Sequence, residues 1–228
     1  MFFDRYYLIL VLPAVVFAMW AQYQVNGTFN KYSKVRAGRN VTGAQAAEAV
    51  LRAGGVYDVG IERISGSLTD HYDPRDKVIR LSDSVYDNPS IAALGVAAHE
   101  AGHAVQHAEE YFPLRLRRAI IPITQIGSSL AMPLLIIGLI LSSMNLVYLG
   151  IAFFGFSTLF QAVTLPVEFD ASRRAVAALS EGGLLSLEEL PAAKKTLRAA
   201  ALTYVAALAV SLAQLLRLLI VFGGRRDD

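Results

Sequence analysis

Residues 119–167 read AIIPITQIGSSLAMPLLIIGLILSSMNLVYLGIAFFGFSTLFQAVTLPV, and they contain no Asp, Glu, Lys or Arg. About 20 apolar residues of α-helix cross the ~30 Å hydrocarbon core of a bilayer, so this stretch is long enough to cross it twice. Residues 142–145 (SSMN) interrupt the apolar run near its middle. The sequence therefore predicts two membrane helices, at 119–141 and 146–167, joined by a tight hairpin.

Two further apolar segments, 6–25 and 199–222, are also long enough to span a membrane. A hydrophobic content of 54% and a mean hydropathy of +0.43 are too high for an ordinary water-soluble chain of 228 residues. The first segment lacks a strongly basic start and a small-residue cleavage site, so it reads as a retained anchor and not as a signal peptide. We therefore expect a polytopic α-helical membrane protein with four transmembrane helices.

The basic residues predict how the chain is oriented. Lys and Arg number twelve in residues 26–118 and five in residues 166–198, whereas the hairpin loop has none. Loops rich in Lys and Arg stay in the cytoplasm, so the polar segments 26–118 and 168–198 are expected on the cytoplasmic side. The absence of cysteine excludes thiolate metal ligands and disulfides. A net charge of +2 without an aromatic-rich basic patch argues against a nucleic-acid partner, and the composition instead implies the lipid bilayer.

The polar segment 26–118 has the pattern of a small α+β domain. Asn88 and Pro89 are typical of the N-cap and the first residue of a helix, and the run 91–106 after them is free of proline. The predicted elements before that helix are a short helix at 42–53, a strand at 57–64, and a hairpin of 68–72 with 77–81 around the turn residues DPRD. Because an exposed strand edge can bind an extended chain, the natural substrate of such a domain is a polypeptide.

Within this helix, His99-Glu100-Ala101-Gly102-His103 matches the zinc pattern H-E-x-x-H. Residues four apart lie on one face of a helix, so His99 and His103 can hold one Zn²⁺ per chain. Glu100 stands beside them, where it can accept a proton from an attacking water. The chemistry indicated is metal-assisted hydrolysis, and the alternative is a helix with two ordinary surface histidines.

A catalytic zinc needs a third protein ligand, and Glu168 is the best candidate. It directly follows the apolar run 146–167 and stands where a second helical pattern is predicted to begin. An ionisable side chain at such a membrane boundary is more often functional than structural. His107 lies four residues beyond His103, but it enters a charged stretch and reads as a solvated histidine. Two residues are candidates for an oxyanion donor: His71, which could instead stabilise a turn, and Tyr204, which could instead be an interfacial tyrosine.

The chain resembles a known family, the YugP-type bacterial membrane zinc metallopeptidases. The likeness covers almost the whole chain and is carried by AQ at 21–22, LTDHYDP at 68–74, AAHEAGHAVQH at 97–107, TLPVEFDAS at 164–172 and AALTY at 200–204. The resemblance implies zinc-dependent proteolysis at a bacterial cytoplasmic membrane, in a gluzincin-like, zincin-type domain facing the cytoplasm, and it supports Glu168 as third ligand. The resemblance is compatible with two roles, protein quality control and the processing of a specific target protein.

The chain is more distantly similar to HtpX-type proteases and to the membrane CAAX prenyl proteases, whose third-ligand pattern is Glu-x-x-x-Asp. Here the position four beyond Glu168 is Ser172, and the nearest acid is Asp170, two residues beyond. Either Asp170 or Ser172 is therefore expected to supply the hydrogen bond that orients a zinc histidine.

Two other functions fit the motif less well. An intramembrane protease of the site-2 type would need its zinc helix inside the bilayer, but the apolar run before His99 covers only residues 91–98. A membrane scaffold with a structural zinc would need a fourth protein ligand and would have no use for Glu100. Small residues in the spans permit a homo-oligomer or a membrane-protein partner without requiring either.

Overall fold

The structure is a computed structural model in which residues 4–223 are described. A π-helical turn at Tyr7–Val11 precedes the first α-helix. The elements in chain order are α1 (Leu12–Tyr32), α2 (Gly43–Ala53), β1 (Gly60–Ile64), β2 (His71–Asp73), β3 (Val78–Ser82), α3 (Ile91–Ala108), α4 (Phe112–Ile140), α5 (Met144–Glu181) and α6 (Leu190–Gly223).

Four helical segments are long and apolar enough to cross a membrane: Tyr7–Tyr32, α4, α5 and α6. Among the described residues, the number of helices able to span a membrane is thus the expected four. Each helix continues past at least one end of the predicted span. The largest difference is α5, which passes through Pro166 without a break, so Glu168 lies within this helix and not at the start of a new one. Membrane helices tolerate an internal proline because neighbouring groups satisfy the freed backbone carbonyl.

The chain forms two compact units, and the first consists of residues 4–21, 115–165 and 203–223. Small residues allow α4 and α5 to approach closely within this membrane unit. A Cβ added at Gly150 would lie 2.9 Å from the carbonyl oxygen of Ala131, and one added at Gly138 would lie 2.8 Å from the backbone nitrogen of Val147. These contacts explain the glycines of the apolar hairpin, because any larger side chain would separate the two helices.

An ion pair joins the two ends of the membrane unit's sequence. Arg217 of α6 donates to the carboxylate of Asp4 at 2.7 Å, and Asp4 also accepts from the backbone N–H of Tyr7 at 2.8 Å. The pair compensates the charge of an arginine on a membrane helix. It fixes the start of the first helical segment beside the last part of α6.

The second unit consists of residues 22–114 and 166–202. Its sheet has the order β1-β3-β2, with β1 parallel and β2 antiparallel to β3, and Tyr72 is paired with Ile79. The core lies among α2, the sheet, α3 and the parts of α5 and α6 in this unit, and the fully buried Ile79, Leu81 and Leu94 belong to it. This unit carries the helix with the H-E-x-x-H sequence.

The small elements differ from prediction mainly at their ends. The β2–β3 hairpin forms around the expected turn, but β2 has only three residues, His71–Asp73. The predicted N-cap Asn88 is wrong: Ser90 caps α3 by accepting from the backbone N–H of Ala93, and the side chain of Asn88 accepts from the N–H of Ser90. The proline at 89 therefore precedes the cap, so it is not the first helical residue.

Candidate metal centre

Helix α3 presents the motif residues toward α5 because of its small side chains. Eight of its twelve buried residues are alanine or glycine. Of the two glycines, Gly102 makes the closer approach to a neighbouring element. A Cβ added at Gly102 would lie 2.8 Å from the carbonyl oxygen of Ala171, a distance that real Cβ atoms do not reach. Glycine at this position therefore lets the backbones of α3 and α5 touch, which brings both motif histidines to Glu168.

His99, His103 and Glu168 form a cluster whose ligand atoms all lie within 4.8 Å of one another. The Nε2 atoms of His99 and His103 lie 3.3 and 3.6 Å from Oε2 of Glu168. Bond lengths near 2.05 Å and tetrahedral angles put two zinc ligands about 3.3 Å apart, so the three residues fit a zinc ion. The carboxylate is buried, with 3% of its side chain exposed, and the cluster is the one group of this kind among the described residues.

A hydrogen bond holds the second ring nitrogen of each histidine. Nδ1 of His99 lies 3.1 Å from Oγ of Ser172, and Nδ1 of His103 lies 3.1 Å from Oε1 of Gln106. Both Nε2 atoms therefore face Glu168. Burial by itself lowers the pKa of His103, but the carboxylates of Glu168 and Glu100 outweigh it and raise this pKa.

Gln106 is fully buried and connects His103 to Asp170. Its Nε2 donates to Oδ2 of Asp170 at 2.9 Å and to the carbonyl oxygen of Val167 at 2.8 Å. Arg174 donates to the same carboxylate oxygen of Asp170 at 2.5 Å. Of the two residues predicted to orient a histidine, Ser172 makes the contact directly, whereas Asp170 reaches His103 through Gln106. Gln106 was not predicted, although a glutamine three residues after a motif histidine in an apolar helix is a signal that the sequence offers.

Glu100 is held by the edge strand of the sheet. Its Oε2 accepts from the backbone N–H of Tyr72 at 3.0 Å. Burial raises the pKa of Glu100 above its ordinary value, although the neighbouring histidines act in the opposite direction. Tyr72 is thus a second site residue that the sequence did not reveal, because its backbone and not its side chain makes the contact.

The strand that carries Tyr72 is anchored by Asp70. The carboxylate of Asp70 accepts from the backbone N–H of Ser82 at 2.7 Å and from its hydroxyl at 3.0 Å. Burial raises the pKa of Asp70. These bonds connect the residue before β2 to the end of β3, and they fix the position from which Tyr72 reaches Glu100.

The remaining predicted residues are not members of the cluster. His71 is exposed on β2 and its Nδ1 contacts the carbonyl oxygen of Thr69 at 2.9 Å, so its role as an oxyanion donor stays a prediction. Tyr204 belongs to the membrane unit, and its role also stays a prediction. His107, which we expected to be solvated, is instead partly buried, and its Nδ1 lies 2.8 Å from the hydroxyl of Tyr72. It is not a member of the cluster.

Four helices that can cross a membrane and a largely buried His-His-Glu cluster define a membrane protein with a site that could hold a metal ion. A family model described as "Putative neutral zinc metallopeptidase" matches residues 7–223, and the chain belongs to this family. The chain is 46% identical over 222 residues to "Putative membrane protease YugP" of Bacillus subtilis (strain 168), covering 97% of this chain and 99% of that protein. The resemblance inferred from the sequence is thus confirmed. No solved structure matches the chain.

Proposed function

We propose that the protein is a zinc-dependent endopeptidase of the bacterial cytoplasmic membrane that cleaves membrane or membrane-associated proteins on the cytoplasmic side. The observation that carries the proposal is the convergence of His99, His103 and Glu168 within 4.8 Å, with Glu100 beside them. Three protein ligands and a separate carboxylate are the pattern of catalytic zinc sites, whereas structural sites have four ligands.

Each residue of the cluster has one task in the proposed reaction. His99, His103 and Glu168 would hold one zinc ion, which when bound lowers the pKa of water toward about 7 and polarises the scissile carbonyl. Glu100 accepts a proton from the attacking water and delivers it to the nitrogen of the leaving amine. The N–H of Tyr72 keeps the Glu100 carboxylate in place, and burial makes that carboxylate a better proton acceptor because its pKa is raised.

A polypeptide is the substrate that the sheet favours. Strand β2 is at one end of the three-stranded sheet, and β3 covers only its other side. The N–H of Tyr72 points to Glu100, so the outer edge of β2 is turned toward the catalytic carboxylate. An extended chain paired with this edge would pass beside Glu100, as in strand addition by other peptide-binding proteins. Protein quality control and processing of a specific protein are both consistent with this mode of binding.

The test compares zinc content and cleavage of casein by the detergent-purified wild type with three variants. Glu100→Gln should bind zinc and lose cleavage, because the amide cannot accept the proton. Glu168→Ala should lose both, because two histidines bind zinc weakly. Glu188→Gln, an exposed residue away from the cluster, is the matched control and should resemble the wild type. Normal cleavage by Glu100→Gln would refute the proposed mechanism.

A further inference from the structure

A polar cavity lies inside the membrane unit, between α4 and α5. Its volume is about 280 Å³. Pockets for whole small molecules are usually about 300–1,000 Å³, so this one suits a few side-chain atoms better than a complete metabolite. The residues that line it are Ile121, Thr124, Gln125, Ser128, Ser157, Phe160 and Gln161.

Three of these side chains have unused hydrogen-bonding groups. Within residues 4–223, the side-chain amides of the exposed Gln125 and the partly buried Gln161 make no hydrogen bond. The Oγ of Ser157 is buried without a partner. The other two polar lining residues differ, since Thr124 and Ser128 donate to backbone carbonyls of their own helix at 2.9 and 3.1 Å. The cavity therefore presents two accessible amides near a buried hydroxyl oxygen, and none of the three has a hydrogen-bond partner within residues 4–223.

Unpaired amides are costly in a bilayer, where no water replaces the missing hydrogen bonds. Polar side chains in membrane helices accordingly mark functional positions or contacts with another helix. Both glutamines belong to the apolar hairpin of α4 and α5, and the same α5 carries Glu168 seven residues after Gln161. A binding partner for these amides must itself lie in the membrane.

We propose that this cavity binds a polar residue in the transmembrane helix of a protein substrate. The inference rests on the proposed protease function and adds the membrane segment as the element that is recognised. An amide can both donate and accept, so it pairs with Asn or Gln side chains or with the backbone of a partly unwound helix. Such helices are typical of membrane proteins that have failed to assemble, because their polar residues lack partners.

Lipids and a second copy of the chain fit the cavity less well. An acyl chain offers no hydrogen bonds to the amides, and none of the lining residues is Lys or Arg. A cation does lie nearby, because the guanidinium of Arg117 is 5.8 Å from the ring centroid of the lining Phe160. Binding of a phosphate headgroup is therefore one of the outcomes that the labelling experiment below tests. A two-fold contact between copies would place the same patch on both sides. Two identical cavities that face each other have no projecting group to insert, so both would stay empty. A helix with one projecting polar side chain can fill the cavity.

The test uses two designed substrates with the same cleavable cytoplasmic tail, one with an all-leucine span and one with a central asparagine in that span. The wild type should cleave the asparagine substrate faster, by about threefold for each hydrogen bond formed. In Gln125→Leu/Gln161→Leu this ratio should fall to one. Ser129→Ala removes a polar group beside the cavity but not lining it, and should keep the wild-type ratio. Equal cleavage of both substrates by the wild type would overturn the proposal.

A second measurement separates this proposal from the protease function. A photo-crosslinking amino acid at Ile121 in the Glu100→Gln background should label the asparagine-containing helix in preference to the all-leucine helix. Labelling of lipid alone, of a second copy of the chain, or of both helices equally would overturn the cavity's assignment. Failure of the wild type to cleave casein would refute the protease function, and preferential labelling would still support the cavity.

Discussion

Replacing Gly102 by alanine tests how strongly the metal centre depends on the contact between α3 and α5. The added Cβ would lie 2.8 Å from the carbonyl oxygen of Ala171, and ordinary contacts begin at 3.4 Å. Ala171 contributes a backbone atom within a helix, so the contact cannot be relieved by a side-chain rotation. The two helices must therefore separate by about 0.6 Å, the difference between these distances.

This separation would act directly on the ligand cluster, because Glu168 is three residues before Ala171 and His103 follows Gly102. If the whole displacement reached the cluster, the 3.3 Å distance between His99 and Glu168 would become about 3.9 Å, beyond the tetrahedral distance of about 3.3 Å. We expect zinc affinity to fall by about 10- to 100-fold, the range seen when a ligand's support is removed. The free energy of unfolding should also fall by about 1–3 kcal/mol.

The assay is zinc competition with a chromophoric chelator in detergent, for the wild type, Gly102→Ala and Gly155→Ala. Gly155 lies on α5 itself, and a Cβ there would meet no atom within 4 Å. This control therefore carries the same substitution without the clash and should keep the wild-type affinity. Equal zinc affinity in Gly102→Ala and Gly155→Ala would refute the argument that this glycine positions the ligands.

Two other predictions concern individual hydrogen bonds. Gln106→Leu should reduce zinc affinity about 10-fold or more, because Nδ1 of His103 loses its hydrogen-bond partner. The helical circular-dichroism spectrum should stay unchanged. Zinc affinity equal to that of the wild type would exclude a role of Gln106 in orienting His103. A hydrogen bond from Arg217 lowers the pKa of Asp4 from 3.8 to about 2. Stability from this pair is thus present above pH 3.8 and lost as pH falls toward 2, so the Tm should drop more in the wild type than in Asp4→Asn over this range. Parallel curves of Tm against pH for the wild type and Asp4→Asn would contradict this prediction.

The sequence was most informative about the membrane helices and the motif. The four spans follow from long apolar runs, because the bilayer imposes its thickness on any helix that crosses it. The continuity of α5 through Pro166 was missed, since a proline after an apolar run is also typical of a helix boundary. The first two strands were predicted too long and the third was shifted by one residue, because the length and position of a paired strand are set by its neighbour as well as by its own composition.

The site was predictable where the chemistry depends on residue type, and not where it depends on packing. Glu168 was predicted as a ligand from its position after an apolar run, and the structure places it beside both histidines. The contact of Tyr72 with Glu100 uses a backbone N–H, which every residue except proline has, so no sequence pattern marks it. His107 was judged by its charged neighbours in the sequence, yet its partner lies on a strand 35 residues earlier.

Helix geometry explains why Ser172 and Asp170 support the cluster in different ways. Residues four apart share one face of a helix, so Ser172 lies on the same face as Glu168 and contacts His99 directly. Asp170, two residues beyond Glu168, is turned about 200° around the helix and needs Gln106 as an intermediary. Because the amide nitrogen of Gln106 donates to two acceptors, its oxygen faces His103 and accepts the Nδ1 proton. The lone pair of His103 is thereby left on Nε2, the atom that faces Glu168, which is the arrangement that a zinc ligand requires.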